Sequence, residues 1–242
     1  MKKAFTLAEV LITLTVIGIV AALTMPGLVQ NYRKKVWVTQ LQKTVNVWEN
    51  GMKLIMATDG VNRLSDTEFA AAYFDNYYSS NALDILKEYF NITKTIVDVY
   101  TQEHYFYTLA GVDDATGTQS SSGLNTFYTS DGAQFGYHLR AASGTQPIGI
   151  LTIDVNGNQK PNTFGRDAFW FFIDDRTGGL IPFGSKRSEE IDASNVTSLL
   201  YTSDGVNTYW NKNAQASGIC SKTGYGNTCA ARIIDDGWKM DY

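Results

Sequence analysis

The longest apolar stretch of the chain runs from Phe5 to Met25. At about 1.5 Å per residue, a helix of this length extends for about 30 Å, the thickness of the hydrocarbon core of a bilayer. One carboxylate, Glu9, lies inside the stretch. A charged side chain at the centre of a membrane-spanning helix costs about 2.5–3.5 kcal/mol. The pattern therefore predicts a membrane-spanning helix in which Glu9 needs a functional explanation.

A second helical pattern follows this stretch. Pro26 and Gly27 disfavour helix, so we expect them to kink or loosen it. Beyond them, apolar residues recur at spacings of three and four, which predicts an amphipathic helix with one face packed on a partner. These apolar positions are Leu41, Val45, Trp48, Met52 and Ile55. Asp59 and Gly60 indicate the end of the helix in a turn.

The remaining residues predict a head of short helices and strands. Ser65-Asp66-Thr67-Glu68 has the spacing of a capping box, and residues 65–90 form a predicted helical region. From about residue 94 the pattern becomes typical of strands, at residues 94–100, 104–110, 125–130, 133–140, 148–155 and 168–174. Short turn-forming segments between them favour an antiparallel meander. The expected fold class is α+β, with residues 113–123 as an exposed loop.

Two roles for the N-terminal segment follow from its residues alone. It could be a signal anchor, with Lys2 and Lys3 held on the cytoplasmic side of the membrane. It could also be a cleaved secretory signal, with a small-residue cleavage site near residues 20–22. Neither role explains why Thr6 and Glu9 interrupt the start of the apolar run.

A third role comes from a resemblance. The segment KKAFTLAEVLITLTVIGIVAALTMP resembles the N-terminus of type IV pilins and type II secretion pseudopilins. Precursors in this family carry a short basic leader, here residues 1–4, which is cut just before a Phe that opens the motif F-T-L-x-E. Here that motif is Phe5-Thr6-Leu7-Ala8-Glu9. Gly18 and Pro26 also lie where many type IV pilins have helix-loosening residues.

The resemblance implies a role for each residue of the motif. Prepilin peptidase would cut between Ala4 and Phe5 and methylate the new terminal amine of Phe5. The family usually has Gly before the cut, so Ala4 implies slower processing. Thr6, Leu7 and Glu9 would act in assembly, when the apolar helices leave the bilayer and pack in a filament core. There the carboxylate of Glu9 would pair with the Phe5 ammonium of a neighbouring subunit, because an unpaired buried charge is costly.

The same resemblance implies the organisation and location of the chain. Residues 1–4 are the leader, residues 5–58 the N-terminal helix with its membrane and assembly segment at about 5–25, and residues 59–242 the head. The implied fold is a long N-terminal helix, with a membrane-spanning half and an amphipathic half, packed on an antiparallel sheet. We expect a single-pass protein of the inner or cytoplasmic membrane with a periplasmic or extracellular head, which later enters a pilus or pseudopilus. The implied partners are other subunits, prepilin peptidase and membrane lipid.

Cys220 and Cys229 are the only cysteines of the chain. In an exported protein such a pair indicates a local disulfide, whereas in a cytosolic protein it could be two free thiols. Because the resemblance implies a head outside the cytoplasm, we expect a disulfide that closes a C-terminal loop. A metal site at these cysteines would need further ligands.

The densest polar motif of the head is IDVNGNQKPNTFGRDAFWFF, residues 153–172. Asp154, Asn156, Asn158 and Asp167 carry side-chain oxygens around a glycine-containing turn, a set that suits a hard cation such as calcium. The spacing differs from that of an EF-hand. We favour the interpretation that Asp154 and Asn156 form hydrogen bonds within a β-turn. Calcium is the one cofactor that the sequence suggests.

Charge and motifs narrow the function further. A net charge of −4 argues against nucleic-acid binding, and we interpret residues 33–35 as a basic group in solvent or at lipid headgroups. No H-E-x-x-H, G-x-S-x-G or phosphate-binding glycine loop is present, and His104 and His138 lie in aromatic strand segments. We therefore expect a structural subunit of a pilus-like filament rather than an enzyme. The alternatives are a type II secretion pseudopilin and a membrane-tethered adhesin or binding module that does not polymerise.

Overall fold

A single helix, α1, extends from Leu7 to Asp59 and links the N-terminal segment to the head. The computed structural model describes residues 6–76, 79–97, 105–106, 119–120, 125–139, 148–157, 159–185, 220, 224 and 226–242. Gly60 ends the helix in the left-handed conformation, at a φ of 67°, and its N–H donates to the carbonyls of Ala57 and Met56. Pro26 lies inside the helix and does not end it. The predicted continuation beyond the apolar segment is therefore confirmed.

Three short helical elements follow α1 along the chain. They are a 3₁₀ turn at Leu64–Asp66, α2 at Glu68–Asp75 and α3 at Asn81–Leu86. The predicted capping box is wrong in its register, because Thr67 rather than Ser65 caps α2, with its hydroxyl oxygen accepting from the N–H of Ala70 at 3.2 Å. The N–H of Ser65 instead donates to the carboxylate of Asp175 at 2.7 Å. A tertiary contact thus decides where this helix begins.

Six strands form one antiparallel sheet in the order β1-β4-β5-β6-β7-β8. Their bounds are Ile92–Val97 for β1, Asn125–Thr129 for β4, Gln134–Leu139 for β5, Gly149–Asp154 for β6, Ala168–Ile173 for β7 and Leu180–Pro182 for β8. Each strand from β5 to β8 pairs with the strand before it, as the predicted meander requires. The predicted α+β architecture, a long helix packed on an antiparallel sheet, is confirmed.

Three elements differ from the sequence-based expectation. Tyr105–Phe106 (β2) pairs with Gln119–Ser120 (β3), so residues 119–120 are strand, although the tract around them was expected to be loop. β8 and the C-terminal helix α4, Cys229–Asp235, have no counterpart in the predicted pattern. All three are too short, or too polar, to show a clear periodicity of apolar residues.

The core lies between the C-terminal half of α1 and the sheet. Its centre is Trp48, which is fully buried, with ring centroids 6.0 Å from Phe135 and 6.1 Å from Phe90. The indole N–H of Trp48 donates to the carbonyl of Gly178 at 3.2 Å, so the polar atom of this side chain is also satisfied. The predicted apolar stripe of α1 is confirmed as the buried face, at Leu41, Val45, Trp48, Met52 and Ile55.

Candidate functional site

The first turn of α1 is closed by a reciprocal pair of side chains. The hydroxyl oxygen of Thr6 accepts from the N–H of Glu9 at 3.3 Å, and the carboxylate of Glu9 accepts from the N–H of Thr6 at 2.8 Å. The Thr6 hydroxyl also donates to the same carboxylate at 2.8 Å. This is a capping box, which satisfies N–H groups that have no partner within the helix.

The capping box gives Glu9 a second role that the sequence analysis missed. The signal was present, because Thr6 and Glu9 have the T-x-x-E spacing of a capping box. The predicted cleavage and methylation residues, Ala4 and Phe5, lie outside the described residues. Leu7 is the first residue of α1 and is 79% exposed. The described part of the predicted motif therefore lies on one exposed helical turn.

The N-terminal half of α1 has an apolar surface that the part of the head described above leaves uncovered. Every described side chain from Leu7 to Arg33 is exposed, apart from the half-buried Ala21. By length and composition α1 can cross a membrane, and the most apolar part of it has no buried residue. An apolar surface on all sides of a helix is typical of a segment that lipid or other helices surround.

The two predicted helix-loosening positions lie within this exposed half. A side chain at Gly18 would meet no atom of the protomer within 4 Å. Pro26 has no N–H to donate to the carbonyl one turn earlier, so one helical hydrogen bond is missing at this point. The helix continues through both residues, and a bend at either one stays a prediction.

A basic groove lies where the exposed half of α1 ends. Lys34 and Lys35 line one side of it, and Trp238 and Lys239 of the C-terminal tail line the other. The ammonium of Lys34 donates to the backbone oxygen of Tyr242. The basic residues that follow the apolar segment are thus partly joined to the head.

Residues 1–25 match the family model described as the prokaryotic N-terminal methylation motif, which is the prepilin-type signal of type IV pilins and pseudopilins. The chain has a prepilin-type N-terminus. No curated protein and no solved structure matches the chain. The motif and the exposed apolar half of α1 fit a membrane-anchored, pilin-like or pseudopilin-like protein, a structural class rather than a class of enzymes.

The head of this prepilin-type chain holds the predicted calcium residues at the two ends of one loop, residues 155–167, between β6 and β7. The N–H of Val155 donates to the carbonyl of Asp167 at 2.8 Å and closes the loop. The carboxylate of Asp167 accepts from the N–H groups of Asn162 at 2.9 Å and of Thr163 at 2.7 Å. Asp167 therefore organises the loop from inside.

Asp154 makes the predicted turn hydrogen bond. Its Oδ1 atom accepts from the N–H of Asn156 at 3.0 Å, which confirms this contact of the turn interpretation. Its other oxygen, Oδ2, has no hydrogen-bond partner although Asp154 is only 1% exposed. The side-chain oxygen of Asn156 is also buried and has no partner. Asn158, the other predicted ligand, lies outside the described residues.

Two acidic side chains share this buried environment. Burial, and then the neighbouring carboxylate of Asp167, raise the pKa of Asp154 well above its ordinary value. Burial also raises the pKa of Asp167, against the opposing effect of the N–H groups of Thr163 and Asn162. Without a counter-charge, ionisation of both groups is unfavourable.

The loop packs directly on the C-terminal disulfide. Cys220 and Cys229 are bonded, with their Cα atoms 4.9 Å apart, which confirms the predicted pair. A Cβ atom at Gly165 would come within 2.6 Å of the Cys229 sulfur, and one at Gly226 within 2.2 Å of the Phe164 carbonyl. Both glycines also have positive φ values, 80° and 85°, so the close approach depends on glycine at each position.

The C-terminal tail completes this packing. The hydroxyl of Tyr242 donates to the carbonyl of Gly165 at 2.7 Å, and the Arg232 guanidinium lies 4.8 Å from the centre of the Tyr242 ring. Arg232 also donates to the carbonyl of Cys220 at 3.1 Å. No sequence pattern could have found the contact between Tyr242 and Gly165, because these residues lie 77 positions apart along the chain.

The other candidate ligands do not join the loop. Among the described residues no three His, Cys, Asp or Glu side chains are grouped so that they could hold a metal ion. His138 lies in the sheet, with its Nδ1 atom 3.1 Å from the hydroxyl of Tyr73. His104 lies outside the described residues. The side chains that the structure brings together at the loop are Asp154, Asn156 and Asp167.

Proposed function

We propose that this protein is a structural subunit of a type IV pilus-like filament and polymerises through the N-terminal half of α1. The observation that carries the proposal is a helix that matches the prepilin-type signal and whose apolar half has no partner among the described residues of the protomer. Other copies of the same helix supply such a partner, because a helix that is apolar all round can pack on several neighbours at once.

Before assembly, lipid covers the same surface. From Val10 to Val29 the helix carries no charged side chain, and at about 1.5 Å per residue this segment is about 30 Å long. Glu9 then lies at one edge of the bilayer, and Lys34 and Lys35 lie beyond the other. The head follows directly, so the proposed protomer is a single-pass membrane protein with its head outside the cytoplasm.

Assembly changes the surroundings of Glu9. Its capping hydrogen bonds, from the N–H and the hydroxyl of Thr6, are both accepted by Oε2 and leave the net charge in place. In a packed filament core this charge needs a cation nearby. We propose that the methylated ammonium of Phe5 on an adjacent subunit supplies it, after prepilin peptidase has removed residues 1–4. The pair would align each new subunit with the one before it.

The test separates the charge of Glu9 from its role as a cap. Gln serves at this position of a capping box, so Glu9→Gln keeps the cap and removes the charge. We expect wild-type amounts of Glu9→Gln protein in the membrane and at least a tenfold loss of filaments sheared from the cells. Thr15→Ala, in the same exposed half of α1, is the matched control and should keep its filaments. Normal filaments from Glu9→Gln would reject the proposed charge pair.

The mass of the mature chain tests the processing step separately. We expect protein purified from its own membranes to begin at a methylated Phe5, and Ala4→Gly to accumulate less precursor. A chain that still begins at Met1 in cells with an active prepilin peptidase would instead indicate a plain membrane anchor.

The same motif also supports a second candidate, a pseudopilin of a type II secretion system, because pseudopilins share the prepilin-type signal. The two candidates differ in what the cell loses with the gene. Loss of surface filaments indicates a pilus subunit, whereas retention of folded exoproteins in the periplasm indicates a pseudopilin. A membrane-tethered binding module would lose neither, and its display would be unaffected by Glu9→Gln.

A further inference from the structure

Among the described residues of the head, one buried carboxylate oxygen has no hydrogen-bond partner. Oδ2 of Asp154 is buried and accepts no hydrogen bond, while Oδ1 of the same group accepts from the N–H of Asn156. A buried carboxylate without its full set of partners is strongly unfavourable, so such groups are paired, protonated or bound to a metal. The oxygen is therefore evidence for a ligand that is separate from the acidic composition of the loop.

A second unpartnered oxygen belongs to the same cluster. The side-chain oxygen of Asn156 is buried without a hydrogen-bond partner. The amide of Asn156 forms a side-chain hydrogen bond with Asp167, and the Asp167 carboxylate interacts electrostatically with that of Asp154. Both oxygens of Asp167 also accept backbone N–H groups, Oδ2 from Asn162 and Oδ1 from Thr163. Side-chain oxygens of three residues thus adjoin one another.

We propose that Asp154, Asn156 and Asp167 bind one hard divalent cation of the calcium class, with water completing its coordination shell. The donor set consists of carboxylate and amide oxygens, which calcium prefers, and contains no sulfur or imidazole nitrogen. The positive charge compensates two carboxylates that are otherwise adjacent and buried. The site lies in the head, so the proposal does not depend on polymerisation.

Nearby basic side chains do not take the place of this cation. The two basic residues of the loop, Lys160 and Arg166, are exposed, and neither forms an ion pair with Asp154 or Asp167 among the described residues. The carboxylate of Asp167 is held by N–H groups of its own loop, and that of Asp154 by N–H groups at the start of the loop. The counter-charge is therefore missing from the described protein atoms themselves.

The position of the loop indicates what the cation would do. Gly165 lies against the Cys229 sulfur, and Tyr242 donates to the carbonyl of Gly165. A cation that joins the two ends of the loop would also hold the surface on which the disulfide and the C-terminal tail pack. We therefore expect calcium to slow proteolytic cleavage within residues 155–167 at least fivefold, with the disulfide intact.

The test uses the full chain in detergent, stripped with EGTA and titrated with calcium chloride by calorimetry. We expect one calcium per chain, with a Kd of about 10⁻⁴–10⁻³ M, as in extracellular calcium modules. Asp154→Asn retains an oxygen that can accept from the N–H of Asn156 and removes the charge. It should weaken binding at least tenfold. Asp131→Asn, on the β4–β5 turn, is the matched control and should bind as the wild type does.

Three results would overturn the proposed calcium site. If the wild-type chain takes up no calcium, and Asp154→Asn raises its melting temperature, then Asp154 is held protonated and the proposal is wrong. If Asp154→Asn binds as tightly as the wild type while its circular dichroism shows a folded head, the calcium lies elsewhere. A melting temperature that rises equally with calcium in Asp154→Asn and in the wild type would overturn the proposal as well.

Discussion

The two halves of α1 share one continuous backbone but have different surroundings. From Leu7 to Arg33 every side chain except that of Ala21 is exposed in the protomer, whereas between Val38 and Met56 one face of the helix is buried in the head. The difference follows the distribution of apolar residues. A stripe at spacings of three and four needs one partner, and the head supplies it, while an apolar surface on all sides needs lipid or several helices.

One continuous helix therefore contributes to two separate equilibria. Its buried half contributes to the folding of the head, and its exposed half to membrane insertion and assembly. Changes in the buried half should alter the stability of the head, and changes in the exposed half should alter only insertion and assembly. The stability of the head is the free energy of unfolding, measured by urea denaturation of the full chain in detergent micelles and followed by circular dichroism.

The strongest test of the comparison is a pair of alanine substitutions in α1. Trp48→Ala removes the central buried side chain and its hydrogen bond to Gly178, so we expect a loss of about 3–5 kcal/mol. Ile17→Ala removes an apolar side chain that is 63% exposed in the protomer, and the stability of the head should not change. Equal effects of the two substitutions would show that the halves are not independent.

A second test concerns the disulfide, which lies in the head and far from the exposed half. Joint replacement of Cys220 and Cys229 by Ser opens a loop between residues nine positions apart. The chain-entropy relation gives a loss of about 2.5–3 kcal/mol. Dithiothreitol should destabilise the wild type by a similar amount and leave the double variant unchanged. Any change in membrane insertion of the double variant would contradict the separation of the halves.

A third test concerns the connection that follows the buried half. Asp175 is buried and accepts from Arg63 Nε at 2.8 Å and from the N–H of Ser65 at 2.7 Å. Hydrogen bonds to charged groups contribute about 1.5–3 kcal/mol, and Asp175→Asn removes the charge while retaining one acceptor, so we expect a loss near the lower end. Asp84→Asn, at a carboxylate paired on the surface of α3, should cost less.

The smallest effect is expected on the solvent side of the buried half. Lys43 of α1 pairs with Asp131 at 2.7 Å, and its side chain is 60% exposed. Lys43→Gln should cost about 0.2–1 kcal/mol, because water and salt screen such pairs. The difference in stability between the variant and the wild type should disappear in 1 M salt, because the screening length is then only about 3 Å. A difference that persists would mean that this pair is better shielded than its exposure indicates.

Local patterns account for what the sequence predicted well. The buried stripe of α1 and the end of the helix at Gly60 depend on residues within a few turns of each other, and both are confirmed. Four of the predicted strand segments coincide with β4, β5, β6 and β7, since their apolar residues and flanking turns are also local. The start of α2 was missed because Asp175, from another part of the chain, takes the N–H of Ser65.

The candidate sites also differ in whether their residues are close together in the sequence or only in the fold. Glu9 was found from a contiguous motif, and its cap with Thr6 could have been found from the spacing of the two residues. The loop residues Asp154 and Asp167 were both noted in the sequence, but the pairing of β6 with β7 brings them together. The packing of Gly165 on Cys229 joins residues that only the complete fold places side by side, so no pattern in the sequence could indicate it.

The buried face of α1 also determines how the head would carry a mechanical load. Its buried residues extend from Val38 to Met56, about 27 Å at about 1.5 Å per residue. A pull on the head along the helix axis loads all contacts of this row together in shear, so the force that the row resists grows with its length. A pull across the axis peels the row from one end, and the contacts break one after another at much lower force.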